Sequence, residues 1–300
     1  MRACLRAFCL VACSVLVVAA APAQKREPRV GHMRRVFVRV TDLAGAPILD
    51  LTAADFEVNE GGRLRYVLNS SLATTPMRIA IFVDTSDGTA NAITQIRAGL
   101  NGFLAALPAD AEVMFITTGR QVRVRLQPTT DRRKALEFAA GLFPDGGATP
   151  LRDALLEVDS RYFRKLENRW PVFVILTGDS AESSAPANET PFNKWLTDLP
   201  ERGIAAHAFA LKYRGGGFPD LVAQHVAQTA GGHFDFMNTA NGLPDKLKAL
   251  GELIAGDAKD MSQWYEVEFE TNSVGSPAVE IGVTRGSVGI RIANRRQTSP

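Results

Sequence analysis

The chain has 300 residues and a formal charge of +2, with 34 basic and 32 acidic side chains. So close a balance gives no electrostatic drive toward nucleic acid. All three cysteines (Cys4, Cys9, Cys13) lie near the N-terminus, which excludes a disulfide scaffold and requires a body stabilised by its core.

The N-terminus reads as an export signal. Arg2 and Arg6 precede an apolar stretch from Ala7 to Ala20, and Ala21-Pro22-Ala23 has the small-x-small form of a cleavage site. These features predict a signal peptide over residues 1–23, cleaved after Ala23, and a periplasmic or secreted mature chain. Leu10-Val11-Ala12-Cys13 offers a minority alternative, a lipoprotein processed at Cys13. No later stretch reaches the roughly 20 apolar residues of a membrane span.

After a polar lead-in, residues 34–72 read as a β segment. Val36–Val40, Asp55–Asn59 and Leu64–Leu68 are short strands, separated by turns at Gly45 and Gly61-Gly62. Such a segment is too small to bury a core alone. From Met77 the pattern changes. Ile79 to Val83 is a continuous apolar run, the mark of a strand buried on both faces of a parallel sheet. Ile93, Ile96, Leu100, Phe103, Leu104 and Leu107 then recur at helical spacing, with Gly99 and Gly102 weakening the helix. Val113–Ile116 and Val122–Leu126 form a hairpin about Gly119-Arg120. A helix opens at Asp131, a glycine loop follows at Pro144–Thr149, and Pro150 opens the next helix.

Val172–Leu176 is a second fully apolar strand. A long polar loop runs to Glu189, and Trp195 and Leu199 mark a helix. Ile204–Leu211 is a strand, Leu221 to Ala230 a helix closed by Gly231-Gly232, Phe234–Met237 a short strand and 243–255 a helix. Strands alternating with helices predict an α/β fold: a doubly wound, mostly parallel sheet over residues 76–258. Alternating strands return over 262–295, at Tyr265–Phe269, Val279–Val283 and Val288–Ile292. Each β segment is too short alone. The expectation is that the two pair into one small all-β, sandwich-like domain with the α/β body inserted between them.

Both long apolar strands end in oxygen-bearing residues. Asp84-Thr85-Ser86-Asp87-Gly88-Thr89 follows the first, and Thr177-Gly178-Asp179-Ser180 the second. Open α/β sheets bind ligands at the carboxyl ends of their strands. A carboxylate and a hydroxyl two residues apart make a hard, oxygen-only site suited to Mg²⁺. Read alone, Asp84 is equally an N-cap for the helix that follows.

The three loops resemble the metal-ion-dependent adhesion site of the von Willebrand factor type A (VWA) domain. The family pattern is Asp-x-Ser-x-Ser, then a threonine, then an aspartate. Here the first loop reads Asp84-Thr85-Ser86-Asp87-Gly88. The second, Gly146-Gly147-Ala148-Thr149-Pro150-Leu151-Arg152-Asp153-Ala154, is similar to the family's Gly-Gly-Thr-x-Leu-x-Asp-Ala. The third reads Thr177-Gly178-Asp179, where the family usually has Thr-Asp-Gly. The flanks, Val40-Thr41-Asp42 and Leu51–Val58 with Glu60 and Gly62, then Trp264-Tyr265, resemble the secreted VWA-related proteins of Acidobacteria. The resemblance implies Ser86 and Thr149 as direct ligands of Mg²⁺, with Mn²⁺ a substitute, and Asp84 and Asp179 as direct or water-mediated ligands. An open position would then take an acidic side chain of a protein partner. Two departures stand out: Gly88 replaces the second serine, and the third-loop aspartate is displaced by one residue, with Asp87 or Thr89 as substitutes.

Other signals carry less. Gly178-Asp179-Ser180 is similar to the nucleophile block of GDSL-type esterases, but His207, His225 and His233 all lack an aspartate three residues upstream, and a serine without a base is inert. Gly215-Gly216-Gly217 lacks the lysine of a phosphate loop. The sequence thus predicts a non-enzymatic interaction or adhesion module, with a metal-independent scaffold of an envelope complex as the alternative.

Overall fold

The computed structural model describes residues 32–200, 202–211, 218–273 and 277–293. The expected signal peptide with Cys13, the glycine triplet at 215–217, the turn at Gly275 and the tail from Arg295 lie outside the described residues. The N-terminal strands are β1 (His32–Thr41), β2 (Phe56–Glu60), β3 (Arg63–Arg65) and β4 (Val67–Leu72). Then come β5 (Met77–Val83), α1 (Ile93–Ala106), β6 (Glu112–Thr117), β7 (Arg123–Thr129), α2 (Arg132–Ala140) and α3 (Leu151–Val158). They are followed by β8 (Trp170–Gly178), α4 (Glu189–Asp198), β9 (Ala205–Leu211), α5 (Phe218–Ala230), β10 (Phe234–Met237) and α6 (Leu243–Met261). β11 (Tyr265–Thr271), β12 (Val279–Val283) and β13 (Gly289–Ala293) complete the described chain.

Six strands form one sheet in the order β10-β9-β8-β5-β6-β7, parallel except for β7. The apolar runs are continuous because both faces are covered. Ile79, Ile81 and Val83 of β5 face a core shared with α1, α2 and α6, whereas Ala80 and Phe82 face one shared with α3, α4 and α5. Val172, Val174 and Leu176 of β8 divide from Phe173 and Ile175 in the same way. Each such large side chain, fully buried, contributes about 1.5–3 kcal/mol. Trp195 stacks on Phe173 with ring centroids 6.1 Å apart, so it is core. Gly251 is where α1 and α6 meet: a Cβ there would lie 2.7 Å from the Phe103 carbonyl oxygen.

This arrangement fixes where a crevice opens. The chain leaving β5 passes to the α1 face, and the chain leaving β8 passes to the α4 face. Adjacent parallel strands whose connections part to opposite faces leave a gap at their carboxyl ends.

The terminal strands pair with one another. β1 lies antiparallel between β11 and β13, β4 pairs with β11, and β2 lies between β12 and β3. The resulting four- and three-stranded sheets share a core of Val36, Val38, Val40, Phe56, Val58, Tyr265, Val267 and Phe269. Leu64–Leu68, expected as one strand, is divided. β3 belongs to the small sheet and β4 to the larger one, and the chain changes sheets at the exposed Tyr66. Tertiary pairing decides this break, and local alternation does not encode it.

Candidate functional site

Asp84 sits where β5 ends, with only 1% of its surface exposed. Its N–H donates to the Leu176 carbonyl at 2.8 Å, and the Thr118 N–H donates to the Val83 carbonyl at 3.1 Å. The ends of β8, β5 and β6 are thereby tied together just beyond the sheet. Asp84 Oδ1 accepts from the Ser86 N–H at 2.8 Å, and Oδ2 accepts from the Gly178 N–H at 3.1 Å. Thr177 Oγ1 and Ser180 Oγ lie 3.5 Å from Oδ2. Burial pushes the Asp84 carboxyl above its ordinary value; hydrogen bonds from the Ser86 hydroxyl and amide, the Gly178 amide and the Thr149 hydroxyl work against that rise. Every one of these donors is neutral. Among the described residues no basic side chain pairs with Asp84.

Asp84, Ser86 and Thr149 are thus brought together. Ser86 is fully buried and caps the 3-10 turn Asp87–Ala92, its Oγ accepting from the Gly88 N–H at 3.3 Å. Thr149, also fully buried, lies 2.6 Å from Thr118 Oγ1 through its own hydroxyl. Thr118 was not singled out in the sequence, although Thr117-Thr118 ends an apolar strand just as Thr85-Ser86 does. Thr89 is placed differently. Its hydroxyl donates to the Asp84 carbonyl at 2.6 Å, so it braces the loop from behind. Asp87 and the half-buried Asp179 line a cleft of about 550 Å³ together with Gly88, Asn91, Gly147, Ala148, Ser180 and Ala181.

The two departures from the family pattern form a single feature. A Cβ on Gly88 would lie 2.7 Å from the Asp179 carbonyl carbon and the Ser180 nitrogen. A Cβ on Gly178 would lie 2.5 Å from Thr89 Cγ2 and 2.8 Å from the Gly88 carbonyl oxygen. The first and third loops meet backbone to backbone, and neither position has room for a side chain. A serine at 88 and an aspartate at 178 are excluded together.

The second loop is held from below. Thr85 Oγ1 donates to Asp145 Oδ2 at 2.8 Å and accepts from the Gly119 N–H at 3.1 Å. The Thr85 carbonyl accepts from Asp145 and Gly146. Gly146 and Gly147 adopt φ of 75° and 74°, a region open to glycine and strained for other residues. Asp153 fixes the polar loop after β8, accepting from the Ala185 N–H at 3.0 Å and from Asn188 Nδ2 at 2.9 Å.

Among the described residues no three of His, Cys, Asp and Glu gather at a spacing fit for a metal. A cation here would draw on hydroxyls, and the donors present are of that kind: one buried carboxylate lacking a cationic partner, flanked by two buried hydroxyls. This set fits a hard divalent ion that keeps several waters. Ser180 has a carboxylate as its neighbour. His207 is buried in β9, where its Nδ1 accepts from the His233 N–H at 3.2 Å, and His225 is exposed on α5.

No family model and no curated protein matches the sequence. Solved structures match the fold. A von Willebrand factor type A protein from Catenulispora acidiphila is 11% identical, with a TM-score of 0.50 over 87% of this chain and 73% of that one. BatB from Bacteroides thetaiotaomicron is 16% identical, with a TM-score of 0.47 over 61% of this chain and 99% of that one. The manganese-loaded TRAP protein of Plasmodium vivax is 12% identical, with a TM-score of 0.45 over 77% and 97%. A mostly parallel six-stranded sheet, with oxygen-rich loops at its switch point, defines the class. The chain has the von Willebrand factor type A fold.

Proposed function

We propose that this chain is an exported protein-binding module whose cleft holds Mg²⁺ or Mn²⁺ through Asp84, Ser86 and Thr149, with Asp179 or Asp87 acting through water. The bound ion supplies Lewis acidity toward an acidic side chain of a protein partner, and the module catalyses no reaction. Asp84 carries the reading: it is a buried carboxyl held only by neutral donors, whose charged form a cation would stabilise. Ser86 and Thr149 orient hydroxyl oxygens beside that carboxylate. Loop 180–190, pinned by Asp153, forms one wall where specificity is exercised. Export rests on the N-terminal segment. Among the described residues no helix is long and apolar enough to cross a membrane.

Calorimetric titration with Mg²⁺ and Mn²⁺, beside Asp84→Ala, tests the ion. Saturable heat lost in the variant is expected, and absence of heat and of thermal stabilisation at millimolar ion would overturn it. One observation favours a second reading, a metal-independent scaffold subunit: the close meeting of Gly88 and Gly178 leaves the first and third loops with fewer oxygens than the family pattern. Partner binding unchanged by chelator or by Asp84→Ala would select that reading. Esterase activity abolished by Ser180→Ala would overturn the non-enzymatic assignment.

A further inference from the structure

Three arginines lie on the turn that packs against the second loop and on the strand that follows it. Arg120 is at the tip of the turn between β6 and β7, exposed, with φ of 60°. That left-handed backbone is strained for an arginine. It is held there by the N–H of Arg120, which donates to the Ala148 carbonyl at 2.8 Å. Arg120 thus packs on the second loop, and its Cβ is the atom that a side chain at Gly147 would meet. Arg123 and Arg125 follow on β7. Arg123 is 3.8 Å from Asp145, and the Arg125 guanidinium lies over the Phe143 ring at 5.6 Å. Phe143 is 50% exposed. Among the described residues no carboxylate pairs with Arg120 or Arg125.

β7 is also an edge. It pairs with β6 alone, leaving its other side open to a further strand. Pro128 near its end and the register shifts about Phe115 suit such an edge. Charged residues commonly guard edges against self-pairing. Here the exposed positions Arg123 and Arg125 carry one sign only, and a guard of one sign repels its own kind and attracts the opposite charge.

We propose that the partner is an acidic protein segment that lies extended along the open edge of β7. Its carboxylates reach Arg120, Arg123 and Arg125, and an apolar side chain rests on Phe143. The inference rests on the proposed ion site, because a segment placed there delivers one further carboxylate across the second loop to the position beside Asp84. Asp145 is already engaged by Thr85 and Arg123. Main-chain pairing supplies affinity in this mode, and alternate side chains supply selection.

The probe is a short fluorescent peptide of alternating Glu and Thr, with Gln/Thr and Lys/Thr peptides as controls. Binding to the purified chain is followed by anisotropy with Mg²⁺ and with chelator. The variant is the double substitution Arg120→Gly and Arg125→Gln, in which glycine relieves the left-handed backbone, so the fold is not put at risk at that position. The acidic peptide should bind, the controls should not, and the variant should lose on the order of tenfold in affinity. Methylating alternate peptide nitrogens should weaken binding as well, if the main chain pairs with β7. Equal binding by the variant, or by the Gln/Thr peptide, overturns the arginine edge. Direct Mg²⁺ titration of the chain reads the ion site separately. Heat without arginine dependence leaves the ion and removes the edge; arginine dependence without heat leaves the edge and removes the ion.

Discussion

Two buried carboxylates, Glu60 and Asp84, are each 1% exposed and are treated in opposite ways by their surroundings. Glu60, at the end of β2, receives Arg34 at 2.9 Å and Arg65 at 2.9 Å, with the hydroxyls of Thr271 at 2.6 Å and Ser273 at 2.9 Å. Burial raises its carboxyl, but the hydrogen bonds from Thr271, Arg34 and Ser273 and the charge of Arg65 outweigh it and hold it below the usual range. Asp84 receives only amides and hydroxyls, and burial wins. The terminal strands therefore complete the charge they bury, whereas the carboxyl edge of the parallel sheet leaves its own incomplete. An acid whose charge is completed within the chain holds structure together, and one left incomplete fits the ion site proposed above.

Removing Glu60 gives the largest expected effect. Glu60→Ala leaves two partly buried guanidinium groups without a carboxylate and should cost about 3 kcal/mol in urea unfolding. A loss under about 1 kcal/mol would erase the contrast. Its pH signature has a definite sign. With the folded value below the ordinary 4.5, Glu60 contributes stability above that pH and loses it as the pH falls further.

His207 is another buried titratable group, and it sharpens the rule from the cationic side. Burial foremost, and then the nearby His233, lower it from 6.5 to about 4. The fold favours the neutral ring. The associated stability is whole above pH 6.5 and is lost as the pH falls from 6.5 toward 4, on the order of 3 kcal/mol. His207→Gln should flatten unfolding free energy across that window, and an unchanged slope would assign the dependence elsewhere.

Next in size is the ion itself. If the proposed site binds Mg²⁺, ion at a hundredfold above its dissociation constant would stabilise the fold by about 2.7 kcal/mol through linkage, and Asp84→Ala should abolish that gain. Glu60→Gln should leave the ion-dependent increment intact even where total stability drops. Loss of the increment in both variants would show that the two regions do not behave independently. The smallest effect is expected from Gly88→Ser, which restores the family's serine on paper. The added Cβ meets the third-loop backbone, so the variant should lose about 1–3 kcal/mol of stability without gaining ion affinity. Tighter Mg²⁺ binding by this variant would refute the backbone contact.

The parallel sheet was legible because a strand covered on both sides must be apolar throughout, and Ile79–Val83 and Val172–Leu176 are. Asp84 and Ser86 were legible because polar oxygens break the first of those runs abruptly, and Thr149 because its glycine loop resembles the family pattern. The opposition of Gly88 and Gly178 was not. Each reads singly as a missing ligand, and only the meeting of two loops far apart in sequence turns both into one steric requirement. The division of 63–72 between two sheets was hidden for the same reason, since β2 and β11 choose the partners. Thr118 and Asp153 act through hydrogen bonds to residues some thirty positions distant, which no local pattern marks.

The Ala73 N–H donates to the Trp264 carbonyl at 2.8 Å, so the strand leading into the six-stranded sheet and the chain leading out of it run side by side. That pair lies at the amino end of β5, about 20 Å of strand away from Asp84. A partner gripped at the cleft would transmit tension down β5 and β8 and out through both segments at once. β4 and β11 would then be drawn lengthwise in the same direction, while β11 remains cross-linked to β1. Sliding antiparallel strands past one another breaks their cross-links together, whereas peeling breaks them in turn. In mechanical terms a cleft that gripped the proposed partner would be a hook, and the terminal strands a shank loaded in shear.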